Sequence, residues 1–287
     1  MSAQIIDGRK TREALLPQLV TKVKSLTYTP MIAIIQVGHR ADSTSFIKAK
    51  KAFGAKIGVT VKQINLPETV SQADLTAIVD ECNGDPLING IIVQLPLPLG
   101  IDRDAIIETI DPEKDVDALT SANVKRFVEG IPGALLPATA RGIRELLDYY
   151  KIALSGKEVV VIGRSNLVGK PIATMCINEN ATVTVCHSKT SNLSEETKKA
   201  DIVIVAAGKA GLIGKEHVKA GQVIIDVGIN TIAGEKLDDE IEGKKLVGDV
   251  DFDAVKNVVS AITPVPGGVG PMTVLALFEN LVDLCVK

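Results

Sequence analysis

Val159-Val160-Val161-Ile162 runs without a break into Gly163-Arg164-Ser165-Asn166-Leu167-Val168-Gly169-Lys170-Pro171. Four successive β-branched residues suit a strand buried on both faces, the glycine after them suits a tight turn, and Pro171 suits the first turn of a helix. In that order the segment makes a place where main chain can approach a pyrophosphate, whose charge meets exposed N–H groups and the positive end of a helix. The spacing is not GxGxxG, so taken alone it leaves a plain strand-to-helix corner equally open.

The next strand, Thr182 to Cys186, ends in His187-Ser188-Lys189-Thr190, about 20 residues after the turn, where a dinucleotide fold meets the adenosine ribose. A site selecting NAD places Asp or Glu there. Hydroxyl and cationic groups stand here instead, with Arg164 reaching in from the turn, and that set suits a 2′-phosphate and hence NADP; solvated surface residues are the plainer alternative. Two further turns belong to the same sheet edge: Asp226-Val227-Gly228-Ile229-Asn230 and Thr263-Pro264-Val265-Pro266-Gly267-Gly268-Val269-Gly270-Pro271. The second interleaves fixed and permissive φ angles, as a rigid loop offering bare backbone to a ligand does.

Further out, short runs rich in Val and Ile recur at Met31–Val37, Val59–Ile64, Gly90–Gln94, Ile202–Ala206 and Val223–Val227, between longer amphipathic stretches. The alternation predicts an α/β fold with parallel sheet. Ser71 and Asp74 predict a helix start before Leu75–Cys82. Pro132, Gly133 and Pro137 punctuate a stretch without periodicity before a helix over Ala140–Tyr150, which sets a domain boundary near residue 139. Pro271 to Val286, apolar at Val274, Leu277, Phe278, Leu281 and Leu284, is expected to form a helix returning to the first domain.

Composition narrows the class. At 287 residues, 46% hydrophobic, the chain can bury a sizeable core, while a net charge of -3 gives no bulk reason to expect nucleic acid. The absence of tryptophan and an aromatic content of 3% argue against carbohydrate or single-strand platforms. Cys82, Cys176, Cys186 and Cys285 are scattered, so no metal site or disulfide framework is expected. No apolar run approaches the ~20 residues of a membrane span, and Met1 to Arg12 lacks a signal-peptide core, so a cytoplasmic protein is expected.

In the first half, Phe46 and Lys50 stand four apart on one helix face, an aromatic beside an amine that can hold and act on a flat ligand; a core ring beside a snorkelling lysine is the common alternative. Gln94 in Val93-Gln94-Leu95-Pro96-Leu97-Pro98 and Asp117 in Lys114-Asp115-Val116-Asp117 read alone as turn residues. Together with Val161-Ile162-Gly163-Arg164-Ser165, Asp226 to Asn230 and Ile262 to Thr273, these segments resemble, in order and over nearly the whole chain, the methylenetetrahydrofolate dehydrogenase/cyclohydrolase family. The resemblance implies an N-terminal α/β folate domain, residues 1–139 plus 271–287, and a Rossmann-like NADP domain with parallel sheet, residues 140–270, in a homodimer. It implies that Lys50 is the catalytic lysine, that Gln94 assists it and that Asp117 anchors the pterin. Phe46, Val93, Leu95, Pro266, Gly267, Gly268 and Gly270 would then border the folate, and Gly163, Arg164, Ser165, Ser188 and Ile229 would contact NADP.

The sequence departs from the family pattern at Phe46, where a tyrosine is usual, at Ala138 and Ala140 around Thr139, and at Thr120-Ser121-Ala122-Asn123. The implied hydride transfer asks mainly for positioning, because the folate nitrogens stabilise the cation that forms, and His39, His187 and His217 need no catalytic part in it. Hydrolysis of the methenyl product does need a proton acceptor, and the departures bear on that second activity. An NADP oxidoreductase of the shikimate-dehydrogenase kind and a folate or dinucleotide sensor are the competing readings.

Overall fold

The Val- and Ile-rich runs form strands and the amphipathic stretches helices in a computed structural model that describes residues 3–233 and 244–286. In chain order the elements are β1 (Gln4–Ile5), α1 (Gly8–Ser25), β2 (Met31–Val37), α2 (Ala41–Ile57), β3 (Thr60–Leu66), α3 (Gln72–Gly84), β4 (Gly90–Val93), α4 (Arg103–Glu108), α5 (Ser121–Val128) and α6 (Ala138–Tyr149). There follow β5 (Glu158–Ile162), α7 (Gly169–Asn178), β6 (Thr182–Cys186), α8 (Leu193–Lys199), β7 (Ile202–Val205), β8 (Val223–Asp226), β9 (Asn230–Ala233), β10 (Lys244–Val247), α9 (Phe252–Val255), β11 (Ala261–Ile262) and α10 (Val269–Cys285). The chain divides into two units, one of Glu13–Ala138 with the residues from Val274 onward, the other of the residues up to Arg12 with Thr139–Thr273.

In the first of these units β3, β2 and β4 make a parallel three-stranded sheet in that order. Its strands are read correctly from their apolar runs because β2 and β4 are buried on both faces. Ala33, Ile35, Ile91 and Val93 pack with Leu75, Val79 and Cys82 of α3 and with Ile106 of α4. Ser71 caps α3, its Oγ accepting from Asp74 N at 3.1 Å. At the other end Lys114 Nζ donates to the carbonyls of Cys82, Asn83 and Asp85 at 3.1, 2.6 and 2.8 Å, satisfying the groups a helix terminus leaves open. The later turns of α10 return to this sheet: the Phe278 ring lies 5.4 Å from that of Phe53 on α2. The wholly buried Asn280 Nδ2 donates to Val116 O at 2.8 Å and Leu136 O at 2.9 Å.

The other unit holds a six-stranded parallel sheet ordered β1-β11-β8-β7-β5-β6. The decisive strand β5 lies between β6 and β7, with Val161 opposite Val185 and Ile204. Its core is built from Val160, Ile162, Val203, Val205, Ile224 and Ile262. One placement differs from the expected first domain of residues 1–139: β1 pairs with β11, Gln4 opposite Ala261, so the chain start belongs to this sheet. Two-residue strands are too short to show a period, so neither β1 nor β11 is legible as a pattern. Asp7 N donates to the Tyr150 hydroxyl at 2.9 Å and anchors the turn into α1. The antiparallel pair β9-β10, Asn230 opposite Val247, was likewise not anticipated. No described helix is long and apolar enough to cross a membrane.

Candidate functional site

Lys50, Gln94 and Asp117, apart in sequence, are brought together. Parallel pairing of β2 with β4 sets Val93 opposite Ile35 and leaves Gln94 just beyond the strand, its N–H donating to Ile35 O at 2.9 Å. Gln94 Nε2 donates to Leu95 O at 2.9 Å, which turns Oε1 towards α2, where it accepts from Lys50 Nζ at 3.0 Å. Phe46, one helical turn earlier, is 41% exposed, more than a core residue would be. Asp117 is set by its neighbour Asp115, whose buried Oδ2 accepts from Thr120 N and Oγ1, both at 2.8 Å, and from Asn123 Nδ2 at 3.0 Å.

Burial pushes the Lys50 ammonium below the usual lysine range, with the Asp117 charge pulling it back up. Burial likewise raises Asp117, opposed by Lys50 and reinforced by Asp115. Desolvation thus drives both partners towards their neutral forms, the state in which a lysine can accept a proton near neutral pH. Of the remaining residues expected at the folate, Leu95 is half-buried and precedes a cis peptide to Pro96. Val93 sits in the sheet core at 6% exposure, so a contact through its side chain is closed to it.

The glycine turn lines a separate cavity of about 540 Å³, together with residues at the ends of β6 and β7. Gly163 has φ 118°, and a Cβ on it would run into the Ala206 carbonyl of the adjacent β7 end. Ser165 Oγ accepts from Val168 N at 3.2 Å and Gly169 N at 3.4 Å, so it caps α7 while facing the cavity. Arg164 and Ser188 line it with Ser165, as do His187 and Thr190 of the segment expected at the ribose, and so do Ala207 and Lys209, which the sequence reading passed over. Strand order was the missing piece of information: with β7 beside β5, the Ala207-Gly208-Lys209 segment has to flank the glycine turn. Lys189 instead closes the local turn, its N–H donating to His187 Nδ1 at 3.1 Å. Ile229, 48% exposed, begins the turn into β9 outside this cavity.

The proline-glycine loop carries the fixed and permissive backbone angles that its composition suggests. Val265-Pro266 is cis, Gly267 has φ 115°, and Gly267 O accepts from Gly8 N and Arg9 N at 3.0 and 3.2 Å. Pro266 is exposed, Gly267 and Gly270 are half-buried, and Gly268 is buried with its N–H donating to Pro264 O at 2.8 Å.

Two family models match the chain, the tetrahydrofolate dehydrogenase/cyclohydrolase catalytic domain over residues 6–117 and the NAD(P)-binding domain of the same family over residues 137–287. The bifunctional protein FolD of Geobacillus thermodenitrificans is 48% identical over 286 residues, 99% of this chain and 97% of that one. The crystal structure of the bifunctional FolD methylenetetrahydrofolate dehydrogenase/cyclohydrolase from Campylobacter jejuni superposes with a TM-score of 0.93 at 40% identity, covering 99% of each chain. A methylenetetrahydrofolate dehydrogenase-cyclohydrolase from Trypanosoma brucei, complexed with NADP and an inhibitor, reaches the same TM-score of 0.93 at 37% identity over 100% of this chain and 98% of that one.

Proposed function

Because the chain belongs to the tetrahydrofolate dehydrogenase/cyclohydrolase family, we propose that Lys50, Gln94 and Asp117 carry its folate chemistry and that the Gly163 cavity receives its dinucleotide. The protein oxidises 5,10-methylenetetrahydrofolate to the 5,10-methenyl form with NADP and hydrolyses that product to 10-formyltetrahydrofolate. The observation that carries the assignment of residues is the 3.0 Å hydrogen bond from Lys50 Nζ to Gln94 Oε1, on a lysine whose pKa burial lowers.

What supports the dinucleotide in this cavity is that Gly163 lets the turn pack directly on the Ala206 carbonyl, where any side chain would clash, and that Arg164, Ser188 and Lys209 present cationic and hydroxyl groups in the lining. When bound, NADP supplies the acceptor for a hydride leaving the methylene carbon. Phe46 offers its exposed ring to the flat aminobenzoyl group, and Asp117 accepts from pterin N–H groups. In the hydrolytic step water forms a C–O bond to the methenyl carbon and the C–N5 bond breaks. Of the two water protons one ends on N5 and the other is released, with neutral Lys50 as first acceptor and Gln94 Oε1 holding its Nζ in line. Leu95 borders the folate in this reading, and Ile229 contacts the cofactor.

Folate binding is proposed for the unit around β2 and dinucleotide binding for the unit around β5, in a cytoplasmic homodimer that binds neither nucleic acid nor membrane. The test is one spectrophotometric assay of methylenetetrahydrofolate with NADP or NAD, followed at the methenyl absorbance. Lys50→Met is expected to abolish hydrolysis of methenyltetrahydrofolate and spare part of the dehydrogenase rate. Equal hydrolysis by variant and parent removes Lys50 from the mechanism.

A further inference from the structure

Behind the cavity wall lie two carboxylates that the proposed chemistry does not use. Asp249 is fully buried, and its Oδ2 accepts from Ala207 N at 2.7 Å and Gly208 N at 2.8 Å, while Oδ1 accepts from Asn230 Nδ2 at 2.8 Å. Asp226, 3% exposed, holds the backbone of that segment: Oδ1 accepts from Gly228 N at 2.9 Å and Asp249 N at 3.0 Å, and Oδ2 from Val250 N at 2.9 Å. Its own N–H donates to Thr263 Oγ1 at 2.7 Å, at the root of the proline-glycine loop. A Cβ on Gly228 would strike the Asp249 carboxylate and one on Gly248 the Asp226 carboxylate, so both glycines make room for the pair.

Among the described residues neither carboxylate has a salt-bridge partner. Burial pushes Asp226 up to about 6, with the N–H groups of Val250, Asp249 and Gly228 pulling it back down. It is therefore mainly ionised at neutral pH and accepts from all three. Taking charge out of water is costly unless it is met by dipoles, and here every dipole that meets Asp249 belongs to the turns after β7 and β8.

We propose that Asp249 is a positioning residue for the dinucleotide, clamping the Ala207-Gly208 wall of the Gly163 cavity to Asn230, next to Ile229. This rests on the reading of that cavity as the dinucleotide site. Its consequence is specific: loosening the clamp changes cofactor affinity while leaving folate affinity alone.

The substitution that tests it is Asp249→Asn, which keeps size and one acceptor oxygen for Ala207 and Gly208 but sets an amide donor against the Asn230 amide donor. The KM for NADP is expected to rise about tenfold, with kcat at saturating NADP and the KM for methylenetetrahydrofolate changed less than about twofold. Adding Asn230→Asp to the same chain restores a donor facing an acceptor and is expected to bring the NADP KM back to within about threefold of the parent. A purely structural role would lower kcat and thermal midpoint together without that split or that rescue.

An unchanged NADP KM, an equal rise in both KM values, or a reciprocal variant no better than Asp249→Asn overturns the proposal. If Asp249→Asn does not fold, Asn230→Ala breaks only one hydrogen bond and is expected to raise the NADP KM about threefold; no rise overturns the clamp. Arg164→Gln in the same assay is expected to raise the NADP KM as well. If it does not, the cavity is not the dinucleotide site and the inference falls with that reading.

Discussion

Lys50 links chemistry to stability through one number that folding lowers. An unfolded chain keeps this lysine protonated up to its ordinary 10.5, whereas burial makes the folded site give up its proton earlier. Between the lowered value and 10.5 the unfolded state therefore binds more protons, and stability rises with pH across that window; below it the charged ammonium penalises the folded state in full. Lys50→Met is expected to flatten this slope and to leave the fold as stable as the parent or more so at neutral pH, as measured by thermal denaturation from pH 7 to 10. Hydrolysis follows the neutral fraction, so the parent rate is expected to fall as pH drops below the lowered pKa, by about tenfold per unit at the limit. Phe46 sets the other expectation at this scale. Phe46→Tyr places a hydroxyl near Lys50 and is expected to raise the cyclohydrolase rate; no change or a fall in single-turnover hydrolysis shows that the ring alone suffices.

Elements were legible where burial imposes a period and illegible where pairing alone defines them. β5 and β7 are nearly pure Val and Ile and β2 is largely apolar because both faces are covered, whereas the two-residue β1 and β11 are strands only through their pairing, β1 with β11 and β11 with β8. The apolar face of α10 was readable from Val274, Leu277, Phe278 and Leu281, but Asn280 within it was not, since a buried amide is explained only by the carbonyls it meets. Those carbonyls are Val116 O and Leu136 O, at 2.8 and 2.9 Å, and the first precedes Asp117. Asn280→Ala leaves both acceptors buried and is expected to cost about 2–4 kcal/mol in urea denaturation. It should raise the folate KM as the Asp117 turn loosens, while the NADP KM stays put. A loss under about 0.5 kcal/mol means that the carbonyls find other donors.

For the molecule as a whole, the glycine turn is legible from residue type, and Lys50, Gln94 and Asp117 are singled out only by the order of the family-like segments that hold them, whereas the Asp226–Asp249 support was legible by neither route. Acidic turn residues look alike until the sheet order sets β8 beside β7 and buries both carboxylates. Charge has the same local character. The chain carries -3 overall, yet Arg164 and Lys209 line one cavity, so anion preference belongs to that site rather than to the surface at large. NADP differs from NAD by a 2′-phosphate and should bind more tightly. A ligand at a hundred times its Kd stabilises the folded state by about 2.7 kcal/mol, and one bound tenfold more weakly at the same concentration by about 1.4 kcal/mol. For a chain of this size each kcal/mol moves the midpoint by about 2–4 °C, so NADP is expected to raise Tm by roughly 3–5 °C more than NAD. Added salt should narrow that gap, because the cations are partly exposed, and Arg164→Gln should nearly close it. Equal shifts from both dinucleotides in the parent would mean that the cavity grips the pyrophosphate and that its cations do not read the 2′-phosphate.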